Sequence, residues 1–295
     1  MKPRRYHHYM SILLTGLLLV GCGTGQNDQP APGGNQGAAP APAPAGGQLS
    51  GKITASGSTA LLPLVKQAAN EFQKLHPNLT IDVSGGGSGT GLKQVSEGTV
   101  NIGNSDVEAG NEFPGLVDHQ VAIAPFVLIV NNSVTVDNLT KEQAGKIFTG
   151  QIKNWKEVGG QDEKITIIGR AESSGSRRVI KQLVLPEGQD FAKESIVQDS
   201  SGSLRTAVDQ TSGAIGYVDA PYATGNVKIL KFDGVEYTPD NVINGTYKLF
   251  AYEHMYTKGE PDANTRAFLD YILSDEFQST YVEQLKFISV NKGKK

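Results

Sequence analysis

The sequence contains almost no cysteine, and this limits its chemistry. Its one cysteine, Cys22, cannot form a disulfide within the chain. The glycine-rich stretches match neither G-x-G-x-x-G nor the Gly-Lys-Ser/Thr ending of a P-loop, and no serine lies in G-x-S-x-G. Metal-ligand spacing is also lacking among the histidines, which are His7, His8, His76, His119 and His254. No metal or cofactor is therefore expected, and nucleotide binding and serine hydrolysis lose support.

Basic charge is scarce as well. Removal of Lys2, Arg4 and Arg5 with a leader leaves 24 basic residues against 30 acidic ones, a net charge near −6. Nucleic acid needs a basic binding face and is therefore not an expected partner. Any site for an anion must be built locally, because the overall charge would repel an anion.

The chain begins with an apolar run that is too short to span a bilayer. The run covers residues 10–20, follows basic residues and is typical of a signal-peptide core. It ends in LVGC at residues 19–22, which resembles a lipobox whose cysteine is diacylated; a chance free thiol in a leader is the alternative. We predict a signal peptide at 1–21, lipidation of Cys22 and an extracytoplasmic protein anchored to the cell membrane.

Composition divides the remaining chain into a linker and a folded body. Residues 22–48 hold almost nothing that could fill a core, so a disordered Gly/Pro/Ala linker is expected. The body, 49–295, has about 245 residues, which is large for one core and comfortable for two lobes. Alternating β-rich and helical stretches predict an α/β fold with mainly parallel sheets. We predict strands at 52–55, 80–84, 100–103, 121–131, 165–169, 214–218 and 247–256, and helices at 63–76, 91–97, 139–148, 176–185, 262–273 and 275–285.

Three segments rich in glycine, serine and threonine each join a predicted strand to a predicted helix. They cover residues 55–60, 84–91 and 169–176. A helix N-terminus attracts anions through its unpaired N–H groups and its dipole, and hydroxyl groups add donors. In open α/β sheets, ligands bind at the carboxyl ends of strands, where these loops lie. One such loop is typical of an ordinary N-cap, but three of them, one with Arg170, favour convergence on one anion.

These segments also carry a family resemblance. The chain resembles the phosphate-binding lipoproteins of bacterial phosphate-specific ABC transporters over nearly all of the folded body. The similarity rests on ASGSTALLPL at 55–64, SGGGSGTGLKQV at 84–95, NIGNSDV at 101–107 and IIGRAESSGSRRV at 167–179, with scaffold signatures LTKEQAGKIFTGQIKNWKEVGG at 139–160 and GAIGYVDAPYA at 213–223. It implies a two-lobed, type II periplasmic-binding-protein-like fold that closes on its ligand about a hinge. Strands near 128 and 250 then suggest lobe I at 49–128 plus 251–295 and lobe II at 129–250.

The resemblance further implies which residues hold the ligand. Arg170 would offer a fork of charged donors suited to phosphate. Glu172 is read either as orienting Arg170 or as an exposed loop acid. Ser176 stands where the family usually has threonine, and it keeps the hydroxyl. The full implied set is Ser58, Thr59, Ala60, Ser88, Asp106, Arg170, Ser174, Gly175 and Ser176.

Asp106 points to the identity of the anion. A carboxylate repels a fully ionised oxyanion, and burial strengthens the repulsion. Phosphate at neutral pH brings a proton that it can donate to a carboxylate, whereas sulfate brings none. The alternative is that Asp106 only caps a nearby turn, but the family pattern favours contact with the ligand.

Together these features predict a monomeric binding protein, not an enzyme. It would capture inorganic phosphate and deliver it to the permease subunits of an ABC importer. One alternative is the same fold with sulfate, molybdate or a phosphonate as its ligand. Another is a phosphatase that uses Ser88 or Ser174, although an adjacent histidine base is lacking.

Overall fold

The computed structural model describes residues 49–293. The predicted signal peptide at 1–21, the lipidation site Cys22 and the linker at 22–48 lie outside the described residues and stay predictions. Within the described range, no helix is both long enough and apolar enough to cross a membrane.

Strands and helices alternate along the body, in the order that the sequence predicts for most elements. The strands are β1 (Gly51–Gly57), β2 (Leu79–Ser84), β3 (Ile102–Ser105), β4 (Leu116–Asn131), β5 (Asn138–Leu139), β6 (Thr166–Arg170), β7 (Ile196–Gln198), β8 (Ala214–Asp219), β9 (Val227–Ile229), β10 (Lys231–Phe232) and β11 (Phe250–Lys258). The helices are α1 (Leu62–Leu75), α2 (Ser88–Glu97), α3 (Lys141–Phe148), α4 (Gly175–Val184), α5 (Ser201–Gln210), α6 (Pro239–Ile243), α7 (Ala263–Leu273), α8 (Asp275–Phe277) and α9 (Val290–Gly293).

A mixed sheet runs through the body in the strand order β2-β1-β3-β11-β4-β8-β6-β7, with β9 also paired to β4. The strands at both ends pair in parallel. In the centre, β11 is antiparallel to β3 and β4, and β4 is antiparallel to β8 and β9. The expectation of mainly parallel sheets is therefore wrong for the centre. An apolar run indicates that β4 is buried on both faces, as it is over residues 121–130, but it does not encode the direction of the neighbouring strands.

The strand β4 changes its partner midway. Up to Pro125 it pairs with β11, and from Phe126 it pairs with β8. Proline has no backbone N–H to donate to a neighbouring strand, so the changeover falls where one ladder bond is missing. The changeover lies close to the predicted lobe boundary at 128, and β11 begins at the boundary near 250. The lobes themselves stay a prediction that this geometry supports.

Aromatic side chains fill the core on either side of the changeover. Phe72 of α1 lies against Phe268 of α7, with ring centroids 5.6 Å apart. Phe148 of α3 meets Tyr217 of β8 edge to face at 5.7 Å, and Trp155 nearby is fully buried. Close packing of this kind holds helices rigidly on the sheet, so the loops at their N-terminal ends keep fixed positions.

Several short elements, among them β7, β9, β10 and α6, have no counterpart in the prediction, and two longer stretches also differ from it. The helix expected at 275–285 is the short α8 followed by a π-helix over Gln278–Val282. The amide of Gln278 is buried there, donates to the carbonyl oxygen of Val121 at 2.9 Å and accepts from the Ser289 hydroxyl at 2.9 Å. The second stretch is α5, a helix that the sequence patterns leave unassigned.

Candidate oxyanion-binding site

The three predicted loops converge on one buried place. Nη2 of Arg170, at the end of β6, donates to Oγ1 of Thr59 in the β1–α1 loop at 3.0 Å. The N–H of Gly89, in the first turn of α2, donates to the carbonyl oxygen of Ser173 in the β6–α4 loop at 2.9 Å. Both contacts join segments that lie far apart in the sequence. The expectation that the loops meet is borne out by these distances.

The first loop supplies Ser58, Thr59 and Ala60, all of which are buried. Oγ of Ser58 accepts the N–H of Leu61 at 3.0 Å, so this hydroxyl also supports the start of α1. Ala60 can contribute only its backbone. The loop depends on Gly57, whose φ of +133° suits glycine and whose Cβ, if present, would collide with the carbonyl oxygen of Asn104. Thr59 is therefore the side chain of this loop that faces Arg170.

Asp106 sits among groups from different loops. Its N–H donates to Oγ of Ser88 at 3.0 Å, and its Oδ2 accepts the Ser176 hydroxyl at 2.8 Å. The residue is 2 % exposed, and Oδ1 has no hydrogen-bond partner within residues 49–293. A buried carboxylate oxygen without a donor is costly. The arrangement therefore presents one acceptor that a proton-bearing ligand would satisfy.

Arg170 provides the positive charge of the site. It is 2 % exposed, and its guanidinium donates to Thr59, to Oγ of Ser201 at 3.2 Å and to the carbonyl oxygen of Asp199 at 3.2 Å. Burial lowers the pKa of Arg170 from its usual value, and the nearby Asp106 opposes that change. Glu172 is exposed and is not among these partners, so its reading as a loop acid fits and the orienting role does not.

The third loop brings α4 onto the other two. Oγ of Ser174 accepts the N–H of Arg177 at 3.2 Å and so caps the helix. Gly175 and Ser176 are buried in its first turn. A Cβ on Gly175 would collide with Oγ of Ser88 and with Asp106, so glycine permits this close approach. The first backbone N–H groups of α4 have no partner within the helix and lie at the same place.

A fourth helix N-terminus completes the site, and the sequence patterns did not predict it. The N–H of Ser201, at the start of α5, donates to Oγ1 of Thr59 at 3.2 Å. The sequence does contain a pattern that could have predicted this helix start, the serine- and glycine-rich segment Asp199-Ser200-Ser201-Gly202-Ser203. The preceding strand β7 has exposed Ile196 and Val197, so it lacks the buried pattern that marked the other three loops.

Two further acids, Asp219 and Glu253, are fully buried beside the site and also went unpredicted. Burial raises the pKa of both carboxyl groups well above the usual value, and the charge of Asp106 adds to each shift. The buried site therefore favours the neutral, protonated form of both acids. Asp219 ends the strand β8, and its position after an apolar run was the available signal.

The site, as built from residues 49–293, is rich in hydrogen-bond donors. Donors come from helix N-termini, hydroxyl groups and one buried guanidinium, which together suit a tetrahedral oxyanion. Over the same residues, no cluster of His, Cys, Asp and Glu is arranged to hold a metal ion. His254, on the neighbouring strand β11, instead pairs with Asp118, with Nδ1 2.9 Å from Oδ1.

Comparison with known proteins places this architecture in a class of solute-binding proteins. The model of the PBP superfamily domain matches residues 40–276. Among solved structures, a putative phosphate ABC transporter substrate-binding protein with bound phosphate from Clostridium perfringens is 32% identical, with a TM-score of 0.78 over 81% of this chain and 100% of that chain. An ABC-type phosphate transport receptor from Vibrio cholerae is 28% identical, with a TM-score of 0.67 over 80% and 99% of the two chains.

A relative of known sequence narrows the class. The phosphate-binding protein PstS of Bacillus subtilis is 45% identical over 252 residues, which are 84% of this chain and 83% of that protein. The chain therefore belongs to the PBP superfamily and, within it, to the family of PstS phosphate-binding proteins. The predicted fold class and family resemblance are both confirmed.

Proposed function

We propose that this chain captures inorganic phosphate outside the cytoplasm and delivers it to an ABC importer. Like the other members of its family, it is a binding protein of a transporter and not an enzyme. The observation that carries the proposal is that one buried site holds both Arg170 and an Asp106 whose Oδ1 is open. Arg170 attracts the anion, and Asp106 accepts the proton that phosphate carries.

In this proposal each loop contributes its own donors. Ser58, Thr59 and Ala60 offer hydroxyl and backbone groups from the first loop, and Ser88 offers its hydroxyl from the second. From the third loop, Ser174, Gly175 and Ser176 surround the ligand at the start of α4. The partial positive charge of each helix N-terminus adds about 0.3–1 kcal/mol for a nearby anion, and more where burial reduces screening.

The choice of phosphate over other oxyanions rests on Asp106. Sulfate would place an oxygen without hydrogen against Oδ1, so two acceptors would face each other in a buried site. A site that requires one hydrogen bond can reject an analogue without it by about 10⁴- to 10⁵-fold. The same fold with sulfate, molybdate or a phosphonate as ligand is the competing proposal.

Delivery requires partners that the sequence suggests. We place the protein as a monomer on the outer face of the cell membrane, tethered by lipid on Cys22 and a linker at 22–48. The permease subunits of the importer would receive phosphate from the closed protein. Support for the anchor comes from the lipobox-like LVGC at 19–22.

Calorimetric titration of the ligand-stripped body with phosphate tests the proposal. Tight binding of phosphate at neutral pH, undisturbed by sulfate at equal concentration, is the expected result. Displacement of phosphate by sulfate at comparable concentration would favour the competing proposal. Turnover of a phosphomonoester would contradict the receptor function itself.

A further inference from the structure

Asp106 has a buried acidic neighbour on the central strand. Glu253 of β11 is 0 % exposed, and neither of its carboxyl oxygens has a hydrogen-bond partner in the described part of the chain. The family-like sequence motifs do not include Glu253. An acid buried without a partner in the middle of a sheet is rare, because it costs several kcal/mol to desolvate a charge. Its position therefore needs an explanation.

Glu253 and Asp106 lie next to the last paired residues of β11 and β3. The antiparallel pairing of β11 with β3 matches Met255 to Asn104 and His254 to Ser105. The pairing ends at Ser105, so Asp106 and Glu253 are the next residues of the two segments beyond the paired part, where β11 also shifts its register against β4. Asp106 is close enough to act on Glu253 through its charge.

The groups around Glu253 favour its neutral form. On the β4 side it faces the apolar Ala122, and the ionisable groups that act on it are the acids Asp106 and Asp219. Arg178 of α4 lines the same cleft as Asp106 but is partly exposed. Burial and the charge of Asp106 raise the pKa of Glu253 well above its usual value. A neutral carboxyl group has an O–H to donate.

His254, the next residue on β11, does not serve Glu253. Successive side chains of a strand point to opposite faces. The His254 ring pairs with Asp118 and stacks on Tyr256. The acceptor beside a protonated Glu253 is therefore Oδ1 of Asp106, which has no partner within residues 49–293 and has two lone pairs, one for Glu253 and one for the ligand.

We propose that Glu253 is a specificity-determining, positioning residue that donates a hydrogen bond to Asp106 and holds it in the role of acceptor. The proposal rests on the phosphate-binding function argued above and adds a residue that keeps Asp106 a hydrogen-bond acceptor. If Asp106 carried the proton, its carboxyl group would become a hydrogen-bond donor, and the site would then also bind sulfate. With the proton on Glu253, Asp106 keeps a lone pair for the proton of phosphate.

This arrangement has a consequence for pH dependence. The neutral form of Glu253 supports binding, so its contribution is present at low pH and is lost as the pH rises through its elevated pKa. Above that point a second carboxylate faces Asp106 and the phosphate dianion, and affinity falls. The protonation of free phosphate changes with pH in the same way for every variant. The ratio of variant to wild-type affinity at each pH therefore isolates Glu253.

The test compares Glu253→Gln and Glu253→Leu with wild type by calorimetry, using phosphate and sulfate between about pH 6 and 10. Glutamine keeps a donor but cannot ionise, so Glu253→Gln should bind phosphate within about threefold of wild type at neutral pH. It should then bind better than wild type as the pH rises. Glu253→Leu removes the donor and should reduce the preference for phosphate over sulfate by about tenfold or more.

Glu187→Gln, at an exposed acid after α4, is the matched control and should follow wild type at every pH. Superimposable pH profiles of wild type and Glu253→Gln would overturn the proposal, as would a Glu253→Gln variant that loses phosphate binding at neutral pH. If Glu253→Leu does not fold, the Glu253→Gln profile alone decides. Failure of wild type to bind phosphate would instead refute the proposed function.

Discussion

At the scale of single residues, the site combines one buried cation with acceptors of different kinds. Arg170 holds its place through Thr59, Ser201 and the carbonyl oxygen of Asp199. Asp106 is fixed on one oxygen by Ser176 and open on the other. Positive charge gives affinity for any oxyanion, whereas the open acceptor distinguishes among oxyanions by their protons. Affinity and selectivity are thus assigned to different side chains.

Ser201 and Glu172 give a prediction about what orients Arg170. Ser201→Ala removes one hydrogen bond to the buried guanidinium and should weaken phosphate binding by about tenfold. Glu172→Ala, at the exposed acid of the neighbouring loop, should leave the affinity within about twofold. Calorimetric titration of both variants checks this. A larger loss in Glu172→Ala than in Ser201→Ala would show that the loop acid orients Arg170 after all.

At the scale of elements, four helix N-termini surround the site. Three of them could be predicted because a strand that could be read from the sequence precedes each loop and the Gly/Ser/Thr pattern follows it. The fourth, at α5, could not, because Ile196 and Val197 of the preceding strand are exposed. The direction of neighbouring strands could not be predicted from the local sequence either, because an apolar run such as β4 occurs in both parallel and antiparallel sheets. Glu253 could not be predicted because its nearness to Asp106 comes from the pairing of distant strands, which local sequence does not specify.

Gly175 gives a prediction about the approach of α4. A methyl group at this position would meet Ser88 and Asp106, so Gly175→Ala should force the helix away from the second loop. We expect phosphate affinity to fall by about 100-fold. Gly202→Ala in the first turn of α5 is the control, because its Cβ would have no neighbour nearer than 3.6 Å. Equal affinity of the two variants, measured by calorimetry, would contradict the close approach of α4.

At the scale of the whole molecule, the site lies where the sheet changes partners. The strands β4 and β11 run through this region, and the contacts of Arg170 with Thr59 and of Ser176 with Asp106 span the two predicted lobes. In the hinge motion proposed for the family fold, contacts of this kind would form only in the closed form. A ligand that completes them would shift the population towards the closed form.

Small-angle X-ray scattering can follow this closure. The radius of gyration of the ligand-stripped body should decrease when phosphate is added, because the bridging contacts draw the lobes together. Sulfate at the same concentration is the control and should leave the radius unchanged. An identical radius with and without saturating phosphate would contradict the hinge and the lobe boundaries proposed here.

The most direct test of the central claim is the ratio of sulfate to phosphate dissociation constants for wild type and Asp106→Asn, measured by calorimetry at neutral pH. The Ser176 hydroxyl, which donates to Oδ2 of Asp106, should donate to the amide oxygen of the introduced asparagine and so turn its NH₂ group towards the ligand. Wild type should prefer phosphate by about 10⁴-fold or more, and the variant by about tenfold or less. An undiminished preference for phosphate in Asp106→Asn would contradict the claim that Asp106 selects the ligand by its proton.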